Sequence, residues 1–171
     1  MTAALYLPKV YRMEYEGYLT RLEVLNRVEK AFPFVDRPSE NELYVFQESD
    51  VMRKIISNGI SEYSEPEIPY DGVLVLYDEF STISNRAVKW MFPSMLRIII
   101  QNRDKSGNLH WYLPTYFEHL DLDSPDSAYN FSWLSKDQIS ALFCVFDYLA
   151  ERYGESVAYA QDRLRELEQK I

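Results

Sequence analysis

His110 and His119 are the only imidazoles in this 171-residue chain, and Glu118, Asp121 and Asp123 crowd the second of them. Imidazole and carboxylate together can bind a divalent metal or carry out acid-base hydrolysis, so an enzyme reading has to be built on residues 110–126. The spacing does not help it. Two histidines nine positions apart with scattered acids do not share a helical face in the way an i, i+4 pair does. Cys144, the single cysteine, is flanked by Phe143, Val145 and Phe146, a setting for a buried and unreactive thiol. It also rules out an internal disulfide and a cysteine-based zinc site. The five glycines are dispersed and assemble no phosphate loop. The neighbouring acids Asp78 and Glu79 point in different directions on a helix and read as a solvated face. These residues therefore specify no catalytic set, no cofactor and no metal ligands.

The same region reads differently as a recognition surface. Glu118, Asp121, Asp123 and Asp126 concentrate charge beside Tyr112, Tyr116 and Tyr129, a mixture of aromatic anchors and charged rim suited to a protein partner. The whole chain carries a formal charge of -9 and 14 tyrosines. Acidity disfavours a nucleic-acid binder, because affinity for phosphate comes from Lys and Arg, and it favours encounter with a basic protein. The expected function is a non-enzymatic binding module, most concretely a bacterial immunity or antitoxin-type protein that neutralises a basic toxin. The alternative is a metal-dependent or hydrolase-like enzyme using His110, His119 and Asp121. No run of 18 apolar residues occurs, and Met1 to Val10 lacks the basic-then-apolar layout of a secretory signal, so a cytoplasmic protein off the membrane is expected.

What must position these residues is a set of helices. Ser135 with Gln138 forms a capping box, and Ile139, Leu142, Phe143, Phe146, Leu149, Ala150 and Tyr153 follow at helical spacing until Gly154. This stretch anchors the reading, with Phe143, Phe146 and Leu149 expected in one core with Leu96, Ile99 and Trp90. Thr20 with Glu23 repeats the box and opens a helix over 21–32 that stops at Pro33. Residues 40–58 read as helix in two pieces, with Asn58-Gly59 as the stop, and 62–70 as a solvated loop. The apolar run 73–77 is short enough for strand or buried helix; helix over 71–82 is expected, with a short strand pair between 73–77 and 109–113 as the alternative. Pro93 either ends one helix or begins the next. Residues 105–108 form a turn, and 120–130 an acidic loop.

Trp90-Met91-Phe92-Pro93-Ser94-Met95-Leu96 is echoed by Trp111-Tyr112-Leu113-Pro114-Thr115-Tyr116-Phe117, an order that two proline-started helices would share. Val157, Ala160, Leu164, Leu167 and Ile171 form a narrow seam, which either packs back on the domain or meets a partner. The fold class is mainly α: one domain of about six helices, with an N-terminal arm over 1–17, a helical core over 18–153 and a C-terminal helix over 155–171.

The segment Ile83 to Pro93, with Leu134-Ser135-Lys136-Asp137-Gln138, resembles a family of small uncharacterised bacterial proteins in which an aromatic-rich helix leads into a Tyr-Leu-Pro-like step and a later Leu-Ser/Thr-x-x-Gln helix closes the domain. The likeness spans roughly residues 20–153. Ala87 stands where that family tends to have Gly, and Phe92 where it tends to have Leu. The resemblance implies a mostly helical bacterial fold and no activity.

Overall fold

The computed structural model describes residues 19–101 and 106–171. Within them the chain forms seven α-helices and no sheet: α1 (Arg21–Ala31), α2 (Val51–Ile60), α3 (Tyr70–Asp78), α4 (Asn85–Gln101), α5 (Leu109–Glu118), α6 (Lys136–Tyr153) and α7 (Ala158–Glu168), with 3-10 turns at Glu40–Glu42 and Phe80–Thr82. The expected N-terminal arm over 1–17 lies outside the described residues. The strand pair weighed for 73–77 and 109–113 is not formed, since both segments are helical, in α3 and α5.

Helix α6 begins as its sequence dictates. The Ser135 hydroxyl accepts from the Gln138 amide at 3.2 Å and the Gln138 carboxamide oxygen accepts from the Ser135 amide at 2.9 Å. Gln138 also reaches outward, its Nε2 donating to the Ala31 carbonyl at 3.1 Å. One side chain thus starts α6 and satisfies a carbonyl at the end of α1. Gln138→Ala should lower stability by about 1–2 kcal/mol, seen as a lower urea midpoint at unchanged slope. Gly154 closes the helix at φ 70°, in the left-handed region that favours glycine.

Around α6 the helices pack in a continuous core. Helix α1 lies against both α4 and α6, α5 touches α4 and α6, and α2 packs on α3, which packs on α4. Val157, Ala160, Leu164 and Leu167 are buried, so the C-terminal seam turns inward onto α5 and α6, while Ile171 stays exposed. At the centre Phe117 stacks on Phe131 at 4.3 Å, with Phe146 edge-on to Phe117 at 5.4 Å and Phe92 5.5 Å from Phe131. Phe143 is only half-buried, and the Arg165 guanidinium lies 5.5 Å from its ring.

Pro93, expected to end one helix or begin the next, and Pro114, expected to start one, both sit inside helices. Pro93 lies in α4 and Pro114 in α5, each buried and each one amide short of the regular ladder. Burial on both sides explains the continuity of α4: Trp90, Met91 and Phe92 precede Pro93, and Met95, Leu96, Ile99 and Ile100 follow it, all fully or almost fully buried. The echo between the two proline segments does not extend to packing, for Trp90 is buried and Trp111 is 52% exposed. Nor does Asn58-Gly59 stop α2, which runs through to Ile60. A Cβ on Gly59 would stand 2.9 Å from a Val75 methyl, so this glycine allows α2 and α3 to approach closely.

Candidate protein-binding surface

Helix α5 and the loop behind it carry every residue expected at the surface site. The Ser106 carbonyl accepts from Leu109 and the Asn108 carbonyl from Trp111 and Tyr112, each at 3.0 Å, so the helix starts on a tight turn. Leu113, Pro114, Tyr116 and Phe117 face inward, which leaves Trp111 exposed and Tyr112, Thr115 and Glu118 half-exposed.

Tyr116 therefore lies inside, not on the surface. Only 3% exposed, it stacks on Phe80 at 3.7 Å and donates its hydroxyl to the Tyr77 carbonyl at 3.3 Å. Tyr112 meets Tyr77 edge-on at 4.9 Å and Tyr129 meets Phe80 edge-on at 5.0 Å. These rings are the seam by which α3 and its following turn are joined to α5 and the acidic loop. A partner cannot reach Tyr116 without unfolding this seam, which removes it from the set of surface anchors; Tyr112 and Tyr129 keep half-exposed edges.

The seam is also dry enough to perturb its phenols. Burial pushes the Tyr116 hydroxyl far above the ordinary tyrosine value, and burial followed by the charge of Asp78 pushes Tyr77 up to about 12. The sign follows directly. A raised folded-state pKa means that above pH 10.0, the ordinary value, the unfolded chain ionises while the folded chain does not, and stability falls as pH climbs. Base titration should thus show most tyrosines ionising gradually and a remainder in a cooperative step coincident with loss of helix. If all tyrosines ionise before the helix is lost, the seam is not buried.

The acidic loop is built by hydrogen bonds to itself. The Asp121 carboxylate accepts from the amides of Asp123 at 3.0 Å and Ser124 at 3.2 Å, and its backbone amide donates to the Tyr129 carbonyl at 3.0 Å. The Ser124 hydroxyl and then the Asp123 amide hold this carboxyl below its usual range. Asn130, buried, donates to the Ser124 carbonyl at 3.1 Å and accepts from both the amide and hydroxyl of Ser132. From outside, Arg163 of α7 donates to the Leu120 carbonyl at 3.1 Å, and Asn85 at the start of α4 donates to the carbonyls of Pro125 and Asp126. Asp121 is accordingly a half-exposed turn-former. Asp123 and Asp126 are exposed and Glu118 half-exposed.

The aromatic seam brings the end of a second acidic stretch, at Asp78 and Glu79, beside the first. Residues 106–135 contain Glu118, Asp121, Asp123 and Asp126 without any Lys or Arg; residues 55–85 contain Glu62, Glu65, Glu67, Asp71, Asp78 and Glu79, again without any Lys or Arg. Those ten carboxylates match the net charge of -9, so the rest of the chain is nearly neutral. The aromatic seam holds the two stretches together through Tyr77 and Phe80 of one and Tyr112, Tyr116 and Tyr129 of the other. Trp111 and Asp78, both exposed, stand beside the seam as well, although the sequence did not mark either as part of a binding surface. The absence of bases over 55–85 is the signal that marks the second stretch in the sequence.

The histidines are not brought together. His110 is the second residue of α5 and His119 caps its C-terminal end, and nine residues of helix span about 13 Å. His110 stacks on Tyr153 at 4.4 Å with its Nε2 3.3 Å from a Glu155 carboxylate oxygen, whereas His119 meets Tyr129 edge-on at 5.9 Å. Among the described residues no three His, Cys, Asp or Glu side chains gather as a metal site. Cys144 is half-buried, not enclosed, and Arg27 donates to its sulfur at 3.5 Å. No described helix is long and apolar enough to cross a membrane.

No family model matches the chain, and no curated protein or solved structure is similar to it, so the likeness to small bacterial proteins rests on its short motifs alone.

Proposed function

We propose that the chain is a non-enzymatic protein-binding module, a cytoplasmic protein of bacterial immunity or antitoxin type that neutralises a basic toxin domain by covering part of its surface. The observation that supports this reading is the union of two base-free acidic stretches across one rigid aromatic seam. Excess negative charge of this kind steers the molecule towards a basic surface and orients the encounter. A phosphate backbone would be repelled by the same face. Glu118, Asp123, Asp126 and Asp78 supply the rim, with Trp111, Tyr112 and Tyr129 as the aromatic contacts among them. An enzyme centred on His110, His119 and Asp121 is not favoured, because α5 holds the two imidazoles apart and Asp121 is occupied in its own turn.

The test is affinity purification from the native host followed by expression of the recovered partner. A basic protein should be retained in stoichiometric amount, should arrest growth when expressed alone, and should be harmless when this chain is co-expressed. Recovery of no protein partner, or of an acidic one, would remove the support for this reading.

A further inference from the structure

Four of the nine large apolar side chains that stay outside among the described residues lie close together in sequence, around the start of α2. Val45, Phe46, Val51 and Ile55 are 39%, 46%, 67% and 54% exposed. Val51 and Ile55 stand four residues apart on one face of α2, and Val45, Phe46 and Val51 line one open hollow together with Gln47, Ser49 and Asp50. Such grouping on a folded surface marks a place where something binds.

The corner is fixed in shape before anything binds. Arg53, itself buried, donates to the Phe46 carbonyl at 2.9 Å and to the Asn41 side chain at 3.2 Å, and its guanidinium lies 4.9 Å from the Tyr44 ring. Asp50 caps α2 by accepting from the amides of Met52 and Arg53. The loop 41–46 and the first turn of α2 are thereby clamped as one unit, which reduces the ordering cost of association.

The patch is also continuous with the acidic face. Tyr44 pairs with Ile83 and Ser84 with Ser127 in isolated antiparallel bridges, and the Val45 amide donates to the Thr82 carbonyl at 3.1 Å. Val45 and Asp126 line the same depression. Glu42 and Arg86, paired with each other, line that depression too, so the apolar corner runs into the end of the acidic loop with one base beside it.

We infer that Val45, Phe46, Val51 and Ile55 form the apolar anchor site for a basic partner, one that presents apolar side chains edged by Lys or Arg on the side facing Asp126. This rests on the reading of the acidic face given above. Charge decides between the two occupants the corner could take. A second copy docking by two-fold symmetry would bring both acidic faces, joined to the patch at Asp126, alongside one another, and like charges in apposition oppose association. A basic protein meets no such opposition. The acidic face then governs how fast the partner arrives and the apolar corner how long it stays.

The experiment uses two defined probes: a synthetic helical peptide of Lys and Leu with every Leu on one face, and a peptide of Lys alone with equal charge. Affinities are measured by fluorescence anisotropy for the full chain, for the double variant Phe46→Ser/Ile55→Ser, and for the triple variant Glu118→Lys/Asp123→Lys/Asp126→Lys. All five positions are exposed or half-exposed, and circular dichroism checks that each variant remains helical. The unaltered chain should bind the Lys/Leu peptide roughly a hundredfold more tightly than the Lys peptide, about tenfold for each apolar side chain engaged. The double variant should lose that margin and keep its affinity for the Lys peptide. A margin that is absent in the unaltered chain, or that survives in the double variant, overturns the anchor site. A concentration-dependent dimer in sedimentation that disappears in the double variant also overturns it, by naming a second copy as occupant. Failure of the underlying reading looks different: the Lys peptide would bind the triple variant as well as the unaltered chain.

Discussion

Phe146→Ala should destabilise the fold by about 3–5 kcal/mol, the range for emptying an aromatic site in a packed core. The residue is fully buried on the inner face of α6, edge-on to Phe117, which in turn stacks on Phe131. Truncation would leave the Phe117 ring unsupported on one side, and close packing around it resists collapse into the gap. Since α6 also caps α1 through Gln138, loosening α6 should lower the stability of α1 with it. Denaturant melts followed by circular dichroism check this. An unchanged midpoint would mean that the aromatic centre is not where stability resides.

Trp90→Ala should cost a similar ~3–5 kcal/mol, for a reason that reaches the acidic face. The indole is fully buried in α4, and its Nε1 donates to the Glu65 carbonyl at 3.1 Å, so it anchors the loop carrying Glu62, Glu65 and Glu67. Arg37 lies over the ring at 5.4 Å while donating to the carbonyls of Ile60 and Tyr63, and fastens the same loop from the other side. Trp90→Phe separates volume from hydrogen bonding. It keeps most of the packing, leaves the Glu65 carbonyl without its partner, and should cost about 1–3 kcal/mol. Amide exchange over residues 61–69 should quicken in both variants; protection unaltered in either would show that the loop is held by something else.

How far the sequence disclosed this architecture depends on the range of the forces involved. The ends of α1 and α6 were legible because capping is local: Thr20 with Glu23 and Ser135 with Gln138 act over three residues, and Gly154 takes the φ that its position demands. The two interior prolines and Gly59 were misread because their effect is decided by neighbours distant in sequence. Pro93 breaks nothing when apolar residues on both sides of it are buried, and Gly59 serves contact with Val75 where a chain end was expected. Helical spacing alone does not say which apolar residues of α1 turn inward: Leu22 is exposed and Val24 buried.

The candidate site divides in the same way. The charge of 118–126 is visible in composition, but the inward turn of Tyr116 follows from Phe80 and Tyr77, which approach from another helix. The second acidic stretch was present as a run without bases, yet its position beside the first is a tertiary fact carried by the aromatic seam. The exposed corner at Val45, Phe46, Val51 and Ile55 is harder still to foresee. Apolar residues at helical spacing are ordinarily core, and only the fold shows which of them found no cover.

Under the proposed function the acidic loop draws in a basic protein. The most direct measurement is the association rate constant between this chain and its recovered partner, at low and at physiological ionic strength, for the unaltered protein and for Glu118→Lys/Asp123→Lys/Asp126→Lys. Steering by the acidic face requires the unaltered rate to fall steeply with salt, and the triple variant to associate at least about tenfold more slowly at low salt with a flatter dependence. Equal rates and equal salt dependence for the two proteins would contradict it and place recognition on another surface.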